Sequence, residues 1–417
     1  MLLKRAITPK IEASLKRGKS ILLLGPRQTG KTTLVKSLQH DLYITLMHPS
    51  ILQKYESHPE ILISEIKAQN ILLDRKPVVI IDEIQKIPTF TDSIQVLIDE
   101  GIAQFIITGS SARKIKNLLP GRVIKYNLTS LSLIELNSFH ILDSFLINGS
   151  LPEVLVAESQ AKPVKSLNDA NDLAKPYINL YDESQNGIED LLRSYVNLYI
   201  EEEIRKEALV RNIGSFANFL KLACIESGNT VNFTNISNEI GVSHPTISEY
   251  YRILEDCMLV ERIEPLSDSI TRKRLNKSPK FIIFDLGIKR IGAQEPFNPG
   301  VKQMSLLFEQ FIGLELCRML NQLSIQGKLL FWRSHDGPEV DYVINLNGKY
   351  VPIEVKWTDK PSRADIKHLL VFKDEYKVSG PSYVICRCHM PMLLADNVFA
   401  MPWQDLPKIV EKLISNT

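Results

Sequence analysis

Lys31 and Thr32 close the run Gly25-Pro26-Arg27-Gln28-Thr29-Gly30-Lys31-Thr32, which fits the phosphate-loop pattern G-x-x-x-x-G-K-[ST] at every fixed position. In such a loop Gly25 and Gly30 let backbone N–H groups curl around a phosphate, and the following helix N-terminus adds a positive dipole end. Lys31 neutralises the β- and γ-phosphates, and the Thr32 hydroxyl ligates Mg²⁺. The chemistry calls for ATP and Mg²⁺, held by Gly25, Pro26, Arg27, Gln28, Thr29, Gly30, Lys31, Thr32 and Thr33. Downstream, Val78-Val79-Ile80-Ile81 runs into Asp82-Glu83. An acid pair at the end of a buried strand places Asp82 in the shell of the Mg²⁺ and Glu83 where it polarises an attacking water, as general base. Thr108, Ser110 and Ser111 end another apolar run. They either touch the γ-phosphate and its water or cap a helix over Ala112 to Leu119. Ser110, Arg113 and Arg122 complete the catalytic candidates, each arginine as a finger in its own site or in that of a neighbouring subunit, which would make the protein a homo-oligomer.

A second group of acids lies near the C-terminus. Glu309 falls on an amphipathic helix, Pro338-x-x-Asp341 on a strand, and Glu354-x-Lys356 on the strand that follows an Asn347-Gly348 hairpin turn. The period of two puts Glu354 and Lys356 on one face, with Asp341 alongside. This arrangement resembles the PD-(D/E)xK nuclease core. The resemblance implies that Glu309, Asp341 and Glu354 hold a second Mg²⁺ site and that Lys356 positions the nucleophile or stabilises charge. A hairpin with solvated charges and a nuclease fold kept only for binding remain alternatives. Between the two sites, Phe233 to Ser243 reads as helix, glycine turn and new helix, with Ser243 as N-cap and Pro245 in the first turn. The second helix would present His244, Thr246, Ser248 and Tyr251. Thr271 to Lys280 follows with five basic residues and no acid. A helix-turn-helix with a basic wing favours duplex DNA; packing against protein is the competing reading.

Composition limits the setting. A chain of 417 residues accommodates about two or three domains, and 44% hydrophobic with 24% charged residues is ordinary for a soluble globular protein. The N-terminus MLLKRAITPK is too basic and too short in apolar run for a cleaved signal, and no segment reaches membrane-span length, so no membrane partner is expected. Five scattered cysteines argue for a reducing, cytoplasmic location. Cys386-x-Cys388-His389 reads as the end of a buried strand, because no second ligand pair accompanies it. A net charge of +2 means that any nucleic-acid footprint is local.

Helical patterns alternate with short apolar strands from Leu2 to Leu128, including a helix over Leu2 to Leu15 interrupted by Pro9, which implies a parallel sheet. GPRQTGKTTL, VVIIDEIQ, ITGSSAR, LPGR and LPEV together resemble a prokaryotic family of AAA-type ATPases. That resemblance implies an α/β chain: a P-loop NTPase parallel sheet, then a winged-helix segment, then an α/β restriction-endonuclease-like domain. The expected division is 1–156 for the ATPase domain, 157–187 for a polar linker or insertion, 188–290 for the helical and winged-helix domain, and 291–417 for the nuclease-like domain. The expected function is Mg²⁺-dependent ATP hydrolysis coupled to DNA binding or processing. The alternative is an ATP-controlled protein-interaction or signalling switch with an inactive nuclease-like domain.

Overall fold

Five apolar runs become the strands of one parallel sheet, β1 (Ser20–Leu24), β2 (Leu42–Thr45), β3 (Val78–Asp82), β4 (Gln104–Gly109) and β5 (Val123–Asn127), in the order β2-β3-β4-β1-β5. The computed structural model describes residues 3–111, 121–136, 142–160, 183–200, 212–266, 278–323, 325–334 and 337–415. Helices α1 (Thr8–Lys16), α2 (Lys31–Ser37), α3 (Pro49–Ser57), α4 (Ile61–Leu73) and α5 (Phe90–Asp99) accompany the sheet. Alternate strand residues feed two cores. Leu22, Val79, Ile81, Phe105 and Ile107 pack with Leu62, Ile66, Phe90 and Ile94, whereas Ile21, Leu23, Ile80 and Ile106 pack with Ile11, Leu34 and Val35. Burial on both faces explains why these strands read as unbroken apolar runs. The first helix starts at Thr8 rather than Leu2, with Pro9 in its first turn, where the missing N–H is harmless. With all strands parallel, the carboxyl ends of β1, β3 and β4 share one edge, the edge where ligands sit in such sheets.

A second compact unit comprises Ser132–Ile253 and Val260–Thr417, the first being Met1–Leu131 with Leu254–Leu259. It is built on an eight-stranded sheet in the order β12-β13-β11-β10-β9-β8-β6-β7. The strands are β6 (Val260–Pro265), β7 (Lys280–Ile283), β8 (Lys328–Arg333), β9 (Glu339–Leu346), β10 (Lys349–Val355), β11 (Ser382–Cys386), β12 (Met392–Ala395) and β13 (Val398–Pro402). Helices Phe233–Ile240 and His244–Asp256 flank Gly241, whose φ of 74° suits only glycine well. Strands β6 and β7 form the antiparallel pair after them, and β6 also pairs with β8, Glu264 beside Leu330. Residues 188–290 and 291–417 therefore share one sheet. No helix among the described residues is long and apolar enough to cross a membrane.

The first half of this unit is fastened to the second by Asp285. Its Oδ1 caps the Leu286–Gly292 helix by accepting from the N–H groups of Gly287 (3.0 Å) and Ile288 (3.3 Å), while Oδ2 accepts from the N–H of Ser150 (2.8 Å). Gly149 has φ 79°, and a Cβ there would lie 1.9 Å from Asp285 Oδ1. Gly149→Ala is expected to lower the urea midpoint of the full chain through both strain and collision. Gly18→Ala, at φ 73° with no atom within 4 Å, carries only the left-handed strain of about 1 kcal/mol. The Gly149 variant should lose at least about 1 kcal/mol more than this control; equal midpoints would refute the packing argument.

Candidate functional site

The phosphate loop is held from three sides. Gly25 follows β1 directly and donates its N–H to Gly109 O at 3.3 Å. A Cβ at Gly25 would stand 2.1 Å from Leu128 O, so the close approach of β5's exit requires glycine. Gln28 (φ 58°) and Gly30 (φ 89°) are left-handed and turn the loop into α2. Thr29 Oγ1 donates to Pro26 O at 2.8 Å. Arg5, buried and distant in sequence, donates to Thr29 O (2.6 Å) and Thr129 O (2.7 Å). Nothing in the opening MLLKR distinguishes this clamp from an ordinary basic terminus. Lys31 Nζ donates to Gly25 O and Pro26 O, each at 2.9 Å, so its ammonium lies within the loop it closes.

Asp82 stands beside it at the end of β3, only 1% exposed. Its carboxylate accepts from Thr32 Oγ1 (2.9 and 3.2 Å to the two oxygens), Tyr43 Oη (2.9 Å) and Thr108 Oγ1 (2.5 Å). Burial, and then the Asp82 charge, push the Tyr43 hydroxyl up to about 12. Thr32 and Asp82 thus offer adjacent hard oxygens, which fit Mg²⁺. The N–H of Glu83 donates to Thr108 Oγ1 at 3.0 Å, and Glu83 itself adopts φ 65°, ψ 50°. Gln85 Nε2 donates both to Glu83 Oε2 (2.5 Å) and to Ser110 Oγ (2.8 Å). The structure so brings together Lys31, Thr32, Asp82, Glu83, Thr108 and Ser110, and adds Tyr43 and Gln85. Arg122 is not among them. It precedes β5 at the opposite edge of the sheet, where Nε and Nη2 hold the two Asp99 oxygens at 2.8 Å each. Arg113 lies outside the described residues.

The C-terminal group assembles differently. The register Ile353 beside Tyr342 sets Glu354 next to Asp341 on the neighbouring strand. Asp341 is 7% exposed and Glu354 3%. Asp341 Oδ2 accepts from the N–H of Val355 (2.8 Å), Lys356 Nζ donates to Glu354 Oε1 (2.7 Å), and Glu354 Oε2 is buried without a partner. Burial, followed by the charges of Glu309 and Glu354, holds the Asp341 carboxyl well above the usual carboxylate range. Burial also raises Glu354, against the pull of Lys356. Glu309 is engaged by Lys280 Nζ at 3.2 Å. Among the described residues no three His, Cys, Asp or Glu side chains cluster as a metal-binding set, so Glu309, Asp341 and Glu354 do not stand as the ready-made trio the motif implies.

Lys280 belonged to the expected basic wing; here it is buried against Glu309, which removes it from any phosphate-binding surface. Tyr251 is also withdrawn from the expected recognition face. It is 2% exposed and stacks on Phe281 at 4.1 Å. His244 and Ser248 are exposed and Thr246 is half-buried. Residues 271–277 lie outside the described residues.

Residues 17–137 match a family model described as an AAA domain. Residues 176–294 and 305–406 match two models each described as a domain of unknown function. Uncharacterized proteins of Mycobacterium bovis and Mycobacterium tuberculosis are each 24% identical over 377 residues, covering 86% of this chain and 75% of theirs. The match over 17–137 and the parallel sheet agree on an AAA-type P-loop domain.

The raised Asp341 carboxyl has a stability consequence. An acid whose folded pKa exceeds its unfolded value of about 3.9 contributes fully below that pH and loses its contribution as pH rises through the folded value. Asp341→Asn keeps an acceptor for the Val355 N–H and removes the buried charge. It should melt about 2–4 °C above wild type at pH 7.5, with the difference closing below about pH 4. A pH-independent difference in melting temperature would contradict the assignment.

Proposed function

We propose that the N-terminal unit binds and hydrolyses ATP with Mg²⁺, and the observation that carries this is the Thr32–Asp82 contact beside the phosphate loop. Residues Gly25 to Thr33 enclose the phosphates, and Lys31 exchanges its two loop carbonyls for phosphate oxygens. Thr32 and Asp82 would hold the Mg²⁺, which shields the phosphate charge when bound. Glu83 takes the proton of the attacking water, and Ser110 lies at the same strand edge to orient the γ-phosphate. Arg113 is the remaining finger candidate, for its own site or a neighbouring subunit's.

The second unit, on this reading, couples ATP to DNA binding or processing in the cytoplasm. His244, Thr246 and Ser248 with the basic run 271–277 face the duplex, and Asp341, Glu354 and Lys356 form a nuclease-like site in which the two acids would hold Mg²⁺. The Glu309–Lys280 pair favours a second reading, in which this domain no longer cuts and the protein is an ATP-controlled interaction switch. Incubation with Mg²⁺ and several DNA forms separates them. Cleavage by wild type but not by Asp341→Ala supports the first; absence of cleavage together with salt-insensitive DNA binding supports the second.

For the ATP site, Lys31→Ala should abolish tight nucleotide binding in equilibrium dialysis. Glu83→Gln should retain ATP while turnover falls by about 10²–10⁴-fold. Equal steady-state turnover in Glu83→Gln and wild type would remove Glu83 as the base.

A further inference from the structure

At the carboxyl ends of β10 and β11 the second unit carries a cation, Arg387, with no ion pair among the described residues. The two strands run parallel with Val355 beside Ile385, and the N–H of Arg387 donates to Thr358 O at 2.8 Å, which brings Trp357 and Arg387 together. The Arg387 guanidinium lies 4.0 Å from the centroid of the Trp357 ring. That ring in turn meets Phe308 edge-on at 5.4 Å, so aromatic packing fixes the surface over which the guanidinium lies.

Among the described residues, Arg387 forms no ion pair, and its Nε is buried with no acceptor. Asp143 is the acid that feels its charge, yet it makes no ion pair with Arg387, and burial raises the Asp143 carboxyl against the arginine's pull. A buried donor without an acceptor costs about 1–3 kcal/mol, and its persistence calls for an explanation such as a bound ion. The rigid fork of a guanidinium matches two oxygens of one phosphate.

The same end of the sheet holds an orphan of the opposite kind, Glu354 Oε2, which can only accept. Glu354 lies beside Val384, three residues before Arg387, which follows the last residue of β11. Three residues span roughly 10 Å of strand. A phosphate, itself an acceptor, can answer the Arg387 orphan and not that of Glu354.

We propose that Arg387, stacked over Trp357, is a phosphate clamp for a nucleic-acid strand, gripping one backbone phosphate. The clamp rests on the DNA-processing reading given above and names how the strand is held. Its chemistry is charge and planarity, so Lys at this position restores part of the attraction but none of the two-point fit.

Fluorescein-labelled single-stranded DNA, titrated with the full chain in EDTA at several KCl concentrations and followed by anisotropy, tests the clamp. Arg387→Gln should bind roughly threefold to tenfold more weakly and lower the slope of log affinity against log salt by about one, with Arg387→Lys between it and wild type. The DNA should also perturb tryptophan emission in wild type and not in Trp357→Phe, because Trp332 and Trp403 are 0% and 8% exposed. A merely structural arginine would lower the melting temperature and leave the salt slope unchanged. If wild type binds and Arg387→Gln matches it in affinity and slope, the clamp is overturned alone. If wild type binds no DNA, the nucleic-acid reading falls and the clamp with it.

Discussion

The nucleotide site depends on one buried carboxylate. Asp82 is almost wholly out of water, and an isolated charge there would cost several kcal/mol. Three hydroxyls satisfy it: Thr32 on α2, Tyr43 on β2 and Thr108 on β4. These contacts fasten the helix that begins at Lys31 to the strands that carry the acid pair. The atoms that stabilise the fold are therefore those a hard cation would use. Thr32 would have room to turn its oxygen toward such a cation without the loop being rebuilt, since Arg5, Thr29 and Gly25 hold the loop independently.

Glu83 is anchored in a different way. Its N–H is taken by Thr108, whose hydroxyl is in turn given to Asp82, so the two neighbouring acids share a relay of one side chain. The Glu83 carboxylate shares the Gln85 amide with Ser110. An acid in the left-handed region and tied to a strand-end hydroxyl has a defined position, and such strain is characteristic of functional sites.

How much of this could be read from the sequence follows from where the information resides. The phosphate loop and the strand Val78–Asp82 were legible because their local structure is encoded in contiguous residues with fixed spacing. The hairpin pairing Asp341 with Glu354 was legible because Asn347-Gly348 sets its register. Arg5, Gln85 and Lys280 were not, since each acts on a partner through tertiary packing that no local period records. Tyr251 illustrates the converse. On a helical wheel it shares the polar residues' side, and only the position of Phe281 on the neighbouring strand shows that its ring belongs to the core. LPEV was legible as a signature, but its meaning lies just upstream, where Gly149 and Ser150 meet the cap of a helix far along the chain.

Sheet continuity gives the C-terminal acids a context that separate domains would not. Lys280 is the first residue of β7, and β7, β6, β8 and β9 are consecutive neighbours up to the strand bearing Asp341. The ammonium that holds Glu309 is thus supplied by the strand pair expected to form the wing. Behind it, the Val301–Gln322 helix is fixed by Arg318, which donates to Glu315 (2.6 Å), Ser150 Oγ (3.2 Å) and Phe284 O (2.9 Å), with Glu315 accepting from the N–H of Leu133 (2.7 Å). That buried, paired anchor fixes the helix that carries Glu309, and Lys280, itself buried over the Phe331 and Tyr342 rings, faces it. Three carboxylates, Glu309, Asp341 and Glu354, stand against two ammonium groups, Lys280 and Lys356. Displacement of Lys280 would leave a more negative site with greater attraction for a divalent cation. The charge balance beside Asp341 and Glu354 is therefore set in part by a strand outside the acidic motif.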